Sequence, residues 1–360
     1  MSADPFKGSE PPIHFIVPGP LETLTGGFIY DRHMVDGLKA AGRLGLVHEL
    51  DGDFPRAAPY DVAAGAAVLS GLPDRTRCVI DGLALTALGQ AVFRHASRLD
   101  IVAMIHHPLA DETGLSTAEQ EAFFQAEKAV LNEVARVIVS SRSTADRLAD
   151  FGVHPSAVHV VEPGIADWAA RVRDPAFVDG PVRVLSVGTL TRRKGHDIAL
   201  RALAGCCDLD WHLDIVGGSR DPVHVAELTE LVAELELSER VSLHGEVGEE
   251  DLARMYAESG LFLSAAHHEG FGMALADAVA VGLPVLATNE SAVAAAVRQA
   301  ARLVPAGEVM FLTEALRALL QDPAARRELA DRSRIAAATL SDWDRAAAAF
   351  QRAVDGVILQ

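Results

Sequence analysis

The apolar residues of this chain fall in short runs that are separated by longer amphipathic stretches. Runs of this length, bounded by glycine, proline or polar residues, predict buried strands. The stretches between them have helical spacing, and the alternation predicts an α/β fold with parallel strands. The predicted strands are Ile13–Val17, 61–68, 78–80, 101–105, 136–141, 158–161, Val182–Val187, Trp211–Val216, Leu261–Ser264 and 285–287. A helix is predicted over 117–135, with Ala122, Ala126, Ala129, Val130 and Val134 toward the core.

Each half of the chain opens with the same order of elements. Strand Ile13–Val17 leads through Gly26 and Gly27 into a helix, and strand Val182–Val187 leads through a loop with Gly195 into another helix. Strand, glycine loop and helix begin a doubly wound domain. We therefore predict one domain over 1–170 and a second over 171–340, with a linker at 167–181.

Composition excludes several classes of protein. The 360 residues are 49% hydrophobic and 23% charged, which is globular rather than disordered, and a formal charge of −18 disfavours nucleic acid and anionic lipid as partners. Cys78, Cys206 and Cys207 lack zinc-site spacing, and we expect them to be buried thiols of a cytoplasmic protein. No apolar run is long enough to span a bilayer. Arg94 and Arg98 beside Phe93 give at best a weak membrane-facing helix.

The stretch 267–288 is the strongest functional candidate. Gly270 and Gly272 precede a predicted helix, Glu269 stands before its N-terminus, and Asp277 lies about one turn inside. Unpaired amides around Phe271 and the helix dipole would favour a diphosphate at this end. The structural alternative is an ordinary glycine turn with a carboxylate at a helix start.

Two further groups are candidates. Arg193 and Lys194 stand at the start of a helix, where cations oppose the dipole unless an anion lies between; solvated charges are the alternative. His106 and His107 close the strand at 101–105, on the side where α/β sheets bind ligands. Adjacent histidines are a weak metal pair, and we predict no metal site and no cofactor.

These segments together resemble the family 4 glycosyltransferases. The block from Glu269-Gly-Phe-Gly to Asp277 is similar to the Glu-x7-Glu signature of that family, with aspartate in the second position. Its Gly-Gly loop matches Gly26 and Gly27, its RKG pattern matches Arg193 to Gly195, and its later glycine pair matches Gly217 and Gly218. The chain departs from the family at Thr189, where many members have arginine, and in the turn after Thr288. We expect Arg193 to supply the missing guanidinium.

The resemblance implies a GT-B architecture, with two Rossmann-like domains facing across a cleft and residues 341–360 crossing back to the first domain. His106 would face the transferred sugar and Glu269 would hold its hydroxyls, as the catalytic residues. The donor site would be formed by Gly26, Gly27, Arg193, Lys194, Gly218, Gly270, Phe271, Gly272 and Asp277, with Asp277 on the ribose.

The implied reaction moves a sugar from a nucleotide-sugar to an unidentified acceptor, with retention of configuration and without a metal ion. The alternative is a GT-B binding or partner protein whose transfer activity is weak or lost. Three departures from the family pattern support it: Asp277, Thr189 and the altered turn after Thr288. A nicotinamide oxidoreductase would need a GxGxxG fingerprint, which neither half has.

Overall fold

The chain folds into two compact units in a computed structural model that describes residues 12–172, 180–219, 221–289 and 293–357. The first unit comprises Met1–Pro163 together with Trp343–Gln360, and the second comprises Gly164–Asp342. The divisions fall a few residues from the predicted boundaries at 170/171 and 340/341. Part of the predicted linker, 173–179, lies outside the described residues.

The first unit is a parallel sheet with helices on its faces. Its strands have the order β2-β1-β3-β4-β5-β6, and strands β1, β3 and β4 are almost completely buried. Their apolar side chains face helices on both sides, which is why these strands read as continuous apolar runs. The elements are β1 (Ile13–Val17), α1 (Gly26–Ala40), β2 (Leu44–Glu49), α2 (Pro59–Gly71), β3 (Arg77–Asp81), α3 (Gly82–Ala87), α4 (Gly89–His95), β4 (Asp100–Ile105), α5 (Thr117–Leu131), β5 (Arg136–Val139), α6 (Arg142–Arg147) and β6 (Val158–Val160).

The second unit repeats this architecture with a sheet of order β12-β11-β10-β7-β8-β9. All of the strand pairs are parallel. Strands β10 and β7 are neighbours although they are distant in sequence, so the loops after them leave the same edge of the sheet. The elements are β7 (Val182–Val187), α7 (His196–Ala204), β8 (Trp211–Val216), α8 (Pro222–Glu234), β9 (Val241–Leu243), α9 (Glu249–Glu258), β10 (Leu261–Ser264), α10 (Met273–Val281), β11 (Val285–Thr288), α11 (Ala295–Ala300), β12 (Arg302–Val304), α12 (Val309–Gln321) and α13 (Pro323–Ala337).

The last helix, α14 (Trp343–Val354), belongs to the first unit and packs on α1. The two helices approach closely at Gly37, where an added Cβ would lie 2.5 Å from that of Ala347. The indole of Trp343 stacks on His33 with ring centroids 3.9 Å apart. Beyond the helix, Asp355 accepts two hydrogen bonds from Arg43, at 2.6 and 2.8 Å.

Several predictions about elements were wrong. The run 61–68 lies inside helix α2, because a short alanine-rich run does not distinguish a buried helix from a strand, and Pro59 starts this helix. Strand β2 was missed since it is only half-buried, with Leu46 61% exposed. In α5 the predicted inward residues Ala122, Ala126 and Ala129 are exposed.

The buried positions of α5 are Val130, as predicted, together with Glu127 and Leu131. Among the cysteines, Cys78 and Cys206 are buried as predicted, but Cys207 is exposed.

Within the described ranges, none of the helices combines the length and the apolar character needed to cross a bilayer. On the surface near α4, Arg98 donates to the carbonyls of Leu69 and Leu72, so it braces the end of α2.

Candidate functional site

The loops after β7 and β10 meet at the edge of the second sheet. The amide of His267 donates to the carbonyl of Arg193 at 2.8 Å, which fixes one loop to the other. Gly195 lies at the closest approach: its φ is +63°, and an added Cβ would be 2.0 Å from the Ala265 carbonyl oxygen. Only glycine fits this position, so the glycine of the RKG sequence is a structural requirement of the junction.

This junction brings Lys194 and Arg193 to Glu269. The Lys194 ammonium is 2.7 Å from Glu269 Oε1, and Arg193 Nη1 donates to the His268 carbonyl at 2.9 Å and lies 4.0 Å from Glu269 Oε2. Burial alone would raise the pKa of Glu269, but the two cations lower it below its ordinary value. We call these three residues the loop cluster, which is a buried carboxylate under two cations.

Helix α10 starts beside the loop cluster. Its N-cap is Gly272, with φ +83°, and among the described residues no side chain accepts a hydrogen bond from the first amides of the helix. The ring of Phe271 is 5% exposed and packs in the core, so this residue offers the site its backbone and not its side chain. The uncapped N-terminus and the two cations give this edge a positive potential suited to phosphate oxygens.

Asp277 lies on α10 and is half-buried. Its Oδ1 accepts a hydrogen bond from the Ala166 amide at 2.9 Å, which ties residues near the start of the second unit to α10. Burial raises the pKa of Asp277 to about 7, and the hydrogen bond only partly opposes this effect. One carboxylate oxygen is therefore committed within the protein, and no hydrogen bond to Oδ2 is found among the described residues.

Gly218 follows β8 at the same edge. A Cβ there would lie 2.2 Å from Glu246 Oε1, so the absence of a side chain makes room for this carboxylate. The neighbouring His196, at the start of α7, was not predicted as part of the site. Burial lowers its pKa to about 4, and its Nε2 lies 3.3 Å from the Gly188 carbonyl, as a neutral imidazole that holds the β7–α7 loop.

In the first unit, His106 follows β4 and lies between two carboxylates. Its Nε2 is 2.9 Å from Asp31 Oδ1 and 3.3 Å from Asp81 Oδ2, and both aspartates are buried. Gly27 packs against the same imidazole, since a Cβ there would be 3.2 Å from His106 Cδ2. Gly26 is the first residue of α1, and Thr25 caps that helix.

The sequence did not single out Asp31 or Asp81, although two signals pointed to them. Asp31 is four residues after Gly27, on the same face of α1, and Asp81 ends the strand beside β4. By spacing alone this group could hold a cation, because its three ligand atoms lie within 4.8 Å of one another. The His106–Asp31 distance is that of a hydrogen bond, and we describe the group as a hydrogen-bonded triad rather than as a ligand set.

Comparisons with known protein families agree with the sequence motifs. The family described as Glycosyl transferases group 1 matches residues 170–336, and Glycosyltransferase Family 4 matches residues 79–167. A D-inositol 3-phosphate glycosyltransferase of Xylanimonas cellulosilytica is 30% identical over 287 residues, which are 73% of this chain and 68% of the relative. An MMP alpha-(1->4)-mannosyltransferase of Mycolicibacterium hassiacum is 28% identical over 264 residues, 69% of this chain and 63% of that relative.

Solved structures show the same fold. Sucrose-phosphate synthase from Thermosynechococcus elongatus superimposes with a TM-score of 0.78 at 23% identity, over 95% of this chain and 98% of that one. Anabaena Alr3699/HepE in complex with UDP and glucose gives a TM-score of 0.73 at 18% identity, over 96% and 99% of the two chains. The two doubly wound units are thus those of a GT-B fold, and the chain belongs to the family 4 glycosyltransferases.

Proposed function

We propose that this protein transfers a sugar from a nucleotide-sugar donor to an acceptor, with retention of anomeric configuration and without a metal ion. The loop cluster carries this proposal. Lys194, Arg193 and the uncapped start of α10 form a positive edge where the leaving diphosphate would gather negative charge. Each such preorganised donor contributes about 3 kcal/mol in known sites.

The remaining parts of the proposal follow from the positions of single residues. Asp277 Oδ2 would accept from a ribose hydroxyl, and Glu269, held by Lys194, would orient the sugar. Neutralisation of the diphosphate by protein cations makes a divalent ion unnecessary in this scheme. Alr3699/HepE is known in complex with UDP-glucose, which supports a nucleotide-sugar as the donor class. The acceptor is unidentified, and we propose a cytoplasmic reaction.

The second candidate is a GT-B binding protein with little or no transfer. One observation favours it: Asp277, the shorter residue at the second signature position, has one of its oxygens bonded to the Ala166 amide. A glutamate would extend farther from the helix. This candidate predicts nucleotide binding without donor turnover.

A thermal-shift screen with UDP, GDP, ADP, TDP and CDP, in the presence of EDTA, tests the proposal. A nucleotide at one hundred times its Kd adds about 2.7 kcal/mol to the free energy of unfolding, enough to raise Tm by several degrees. We expect one base to give this shift, and Lys194→Ala to reduce it strongly. Lys39→Ala, which removes an exposed lysine from the end of α1, is the matched control and should leave the shift unchanged.

Donor hydrolysis at high protein concentration then separates the two candidates. Slow release of free sugar, abolished in Lys194→Ala, supports the transferase. Nucleotide binding with no hydrolysis, and no transfer to any offered acceptor, supports the binding protein. If no nucleotide shifts Tm in EDTA, but one does so with Mg²⁺, metal independence is wrong.

A further inference from the structure

The imidazole of His106 is fixed by residues on three elements of the first unit. On α1, Gly27, Tyr30 and Asp31 have the spacing i, i+3 and i+4, and all three contact it. The Tyr30 ring meets it edge-on at 5.4 Å, and the Tyr30 hydroxyl is anchored on the Val161 carbonyl at 2.9 Å. Asp81, at the end of β3, completes the contacts. The orientation of His106 is therefore defined before any ligand arrives.

The positions of the carboxylates determine where the proton is. Asp31 Oδ1 and Asp81 Oδ2 both approach Nε2, at 2.9 and 3.3 Å. An unprotonated Nε2 would direct its lone pair at two buried acceptors when both carboxylates are ionised, which favours the form in which Nε2 carries hydrogen and donates. Asp81 is held in place by its own bond, because its Oδ1 accepts from the Leu83 amide at 2.9 Å.

The opposite edge of the ring is the one that a ligand can reach. The imidazole is 21% exposed, and Nδ1 has no hydrogen-bond partner among residues 12–172 and 343–357, as far as the structure describes this unit. His106 also follows the carboxyl end of β4, where ligands of parallel sheets bind.

We infer that Asp31 and Asp81 are positioning residues that hold His106 as a doubly protonated donor, with Nε2–H on the two carboxylates and Nδ1–H presented to an oxygen of the bound ligand. In this state His106 cannot accept a proton and is not a general base. It supplies a fixed cation and a hydrogen bond to an electron-rich oxygen, a sugar hydroxyl or a phosphate oxygen. This inference deepens the proposed function and rests on it for the identity of the ligand only.

The electrostatics support the same state. Burial would lower the pKa of His106, but the Asp31 and Asp81 carboxylates raise it to about 10. The groups that face the imidazole are Asp31 and Tyr30 from α1 and Asp81 from β3. Burial also raises the pKa of Asp31 to about 7, so above neutral pH the Asp31 carboxylate that faces the imidazolium is ionised.

NMR of the imidazole nitrogens in full-length, ligand-free protein tests this inference, with His106→Gln identifying the signals. We expect imidazolium shifts for His106 at about pH 8, far above the ordinary histidine pKa of about 6.5. In Asp31→Asn the titration midpoint should fall by about one to three pH units, because one of the two opposite charges is removed. Asp36→Asn, an exposed aspartate on the same helix, should leave the midpoint unchanged.

A neutral imidazole at pH 7 in the wild type, or the same midpoint in Asp31→Asn, would overturn the inference. Stoichiometric divalent metal in the purified protein, absent from Asp31→Asn, would also overturn it. If Asp31→Asn does not fold, Asp81→Asn replaces it in the same experiment. Its titration midpoint should fall by a smaller amount, because the contact of Asp81 with Nε2 is longer.

The NMR titration of His106 can succeed or fail independently of the test of the proposed function. The NMR signals need no donor, while the nucleotide shift depends on residues of the second unit. If no nucleotide binds and His106 still titrates near pH 10, the proposed function fails and the positioning role stands. If a nucleotide binds and His106 also titrates near pH 10, Asp31→Asn should lower kcat and narrow the pH range of activity. The nucleotide-induced shift in Tm should be retained in this variant.

Discussion

At the scale of single residues, Glu269 is decisive because two cations depend on it. Glu269→Gln should lower the free energy of unfolding by about 3 kcal/mol at neutral pH, since the substitution removes the carboxylate that pairs with Lys194 at 2.7 Å in a mostly buried place. The cations lower the pKa of Glu269, so its contribution is present above the ordinary value of 4.5 and is lost as pH falls through the lower folded value. The gap between wild type and variant should therefore close in acid.

Urea unfolding at neutral and acidic pH measures this gap. Glu234→Gln, at an exposed position near the end of α8, is the control and should stay within about 0.5 kcal/mol of wild type. A gap that is equally large in acid would show that packing, and not charge, accounts for the loss.

Asp277 should show the opposite pH dependence. Burial raises its folded pKa to about 7, so between its ordinary value of 3.8 and 7 the folded protein keeps a proton that the unfolded chain has lost. Wild type should therefore lose stability relative to Asp277→Asn as pH rises through this range. Chemical denaturation at several pH values tests the prediction, and a difference independent of pH would contradict it.

The charged residues of the loop cluster were predicted because they belong to recognisable sequence motifs. Asp31 and Asp81 belong to no such motif and were missed. Arg193, Lys194 and Glu269 were predicted from patterns at helix starts, and the structure brings them into contact. Their role in donor binding stays a prediction. Asp31 was missed because a buried aspartate inside a helix has meaning only when its partner, His106 on another element, is known.

At the scale of elements, the junction of the two loops depends on one glycine. Gly195→Ala should destabilise the protein well beyond the roughly 1–2 kcal/mol of a left-handed alanine, because its Cβ would overlap the Ala265 carbonyl. Gly42→Ala is the matched control: its φ of +68° is similar, and nothing lies within 4 Å of the added atom. Only Gly195→Ala should also lose the nucleotide-induced shift in Tm. An equal fall in Tm for Gly195→Ala and Gly42→Ala would mean that the loop at Ala265 moves away from the added Cβ with little loss of stability.

Strands buried on both faces were predicted well, and half-buried elements were not. Strands β1, β7, β8 and β10 have the predicted bounds because each is a short, mostly apolar run bounded by turn residues. Strand β2 lies at the sheet edge, so its exposed side chains interrupt the run. The face of α5 was misjudged because it buries Glu127, which accepts from the Leu109 and Ala110 amides in a turn distant in sequence.

At the scale of the whole molecule, the two units should respond separately to mutation. Asp355 joins the end of α14 to Arg43 and Arg77. Asp355→Asn should lower the stability of the first unit by about 2 kcal/mol, since it removes a carboxylate that accepts two hydrogen bonds from the buried Arg43. Nucleotide affinity should change little, because the proposed contacts of Arg193, Lys194 and Asp277 with the nucleotide lie in the second unit. Calorimetry of unfolding and of UDP or GDP binding, with Asp36→Asn as control, checks both statements, and a coupled loss of affinity would contradict the separation.

The packing of α14 on α1 also sets an order of events during synthesis. All residues of the second unit leave the ribosome before Trp343, so that unit can complete its sheet while the first still lacks a helix. Trp343 contacts both His33 and Tyr30, and Tyr30 packs against His106. The nascent chain thus assembles the loop cluster early, and the contacts that brace Tyr30 against His106 are complete only after translation has passed the last helix.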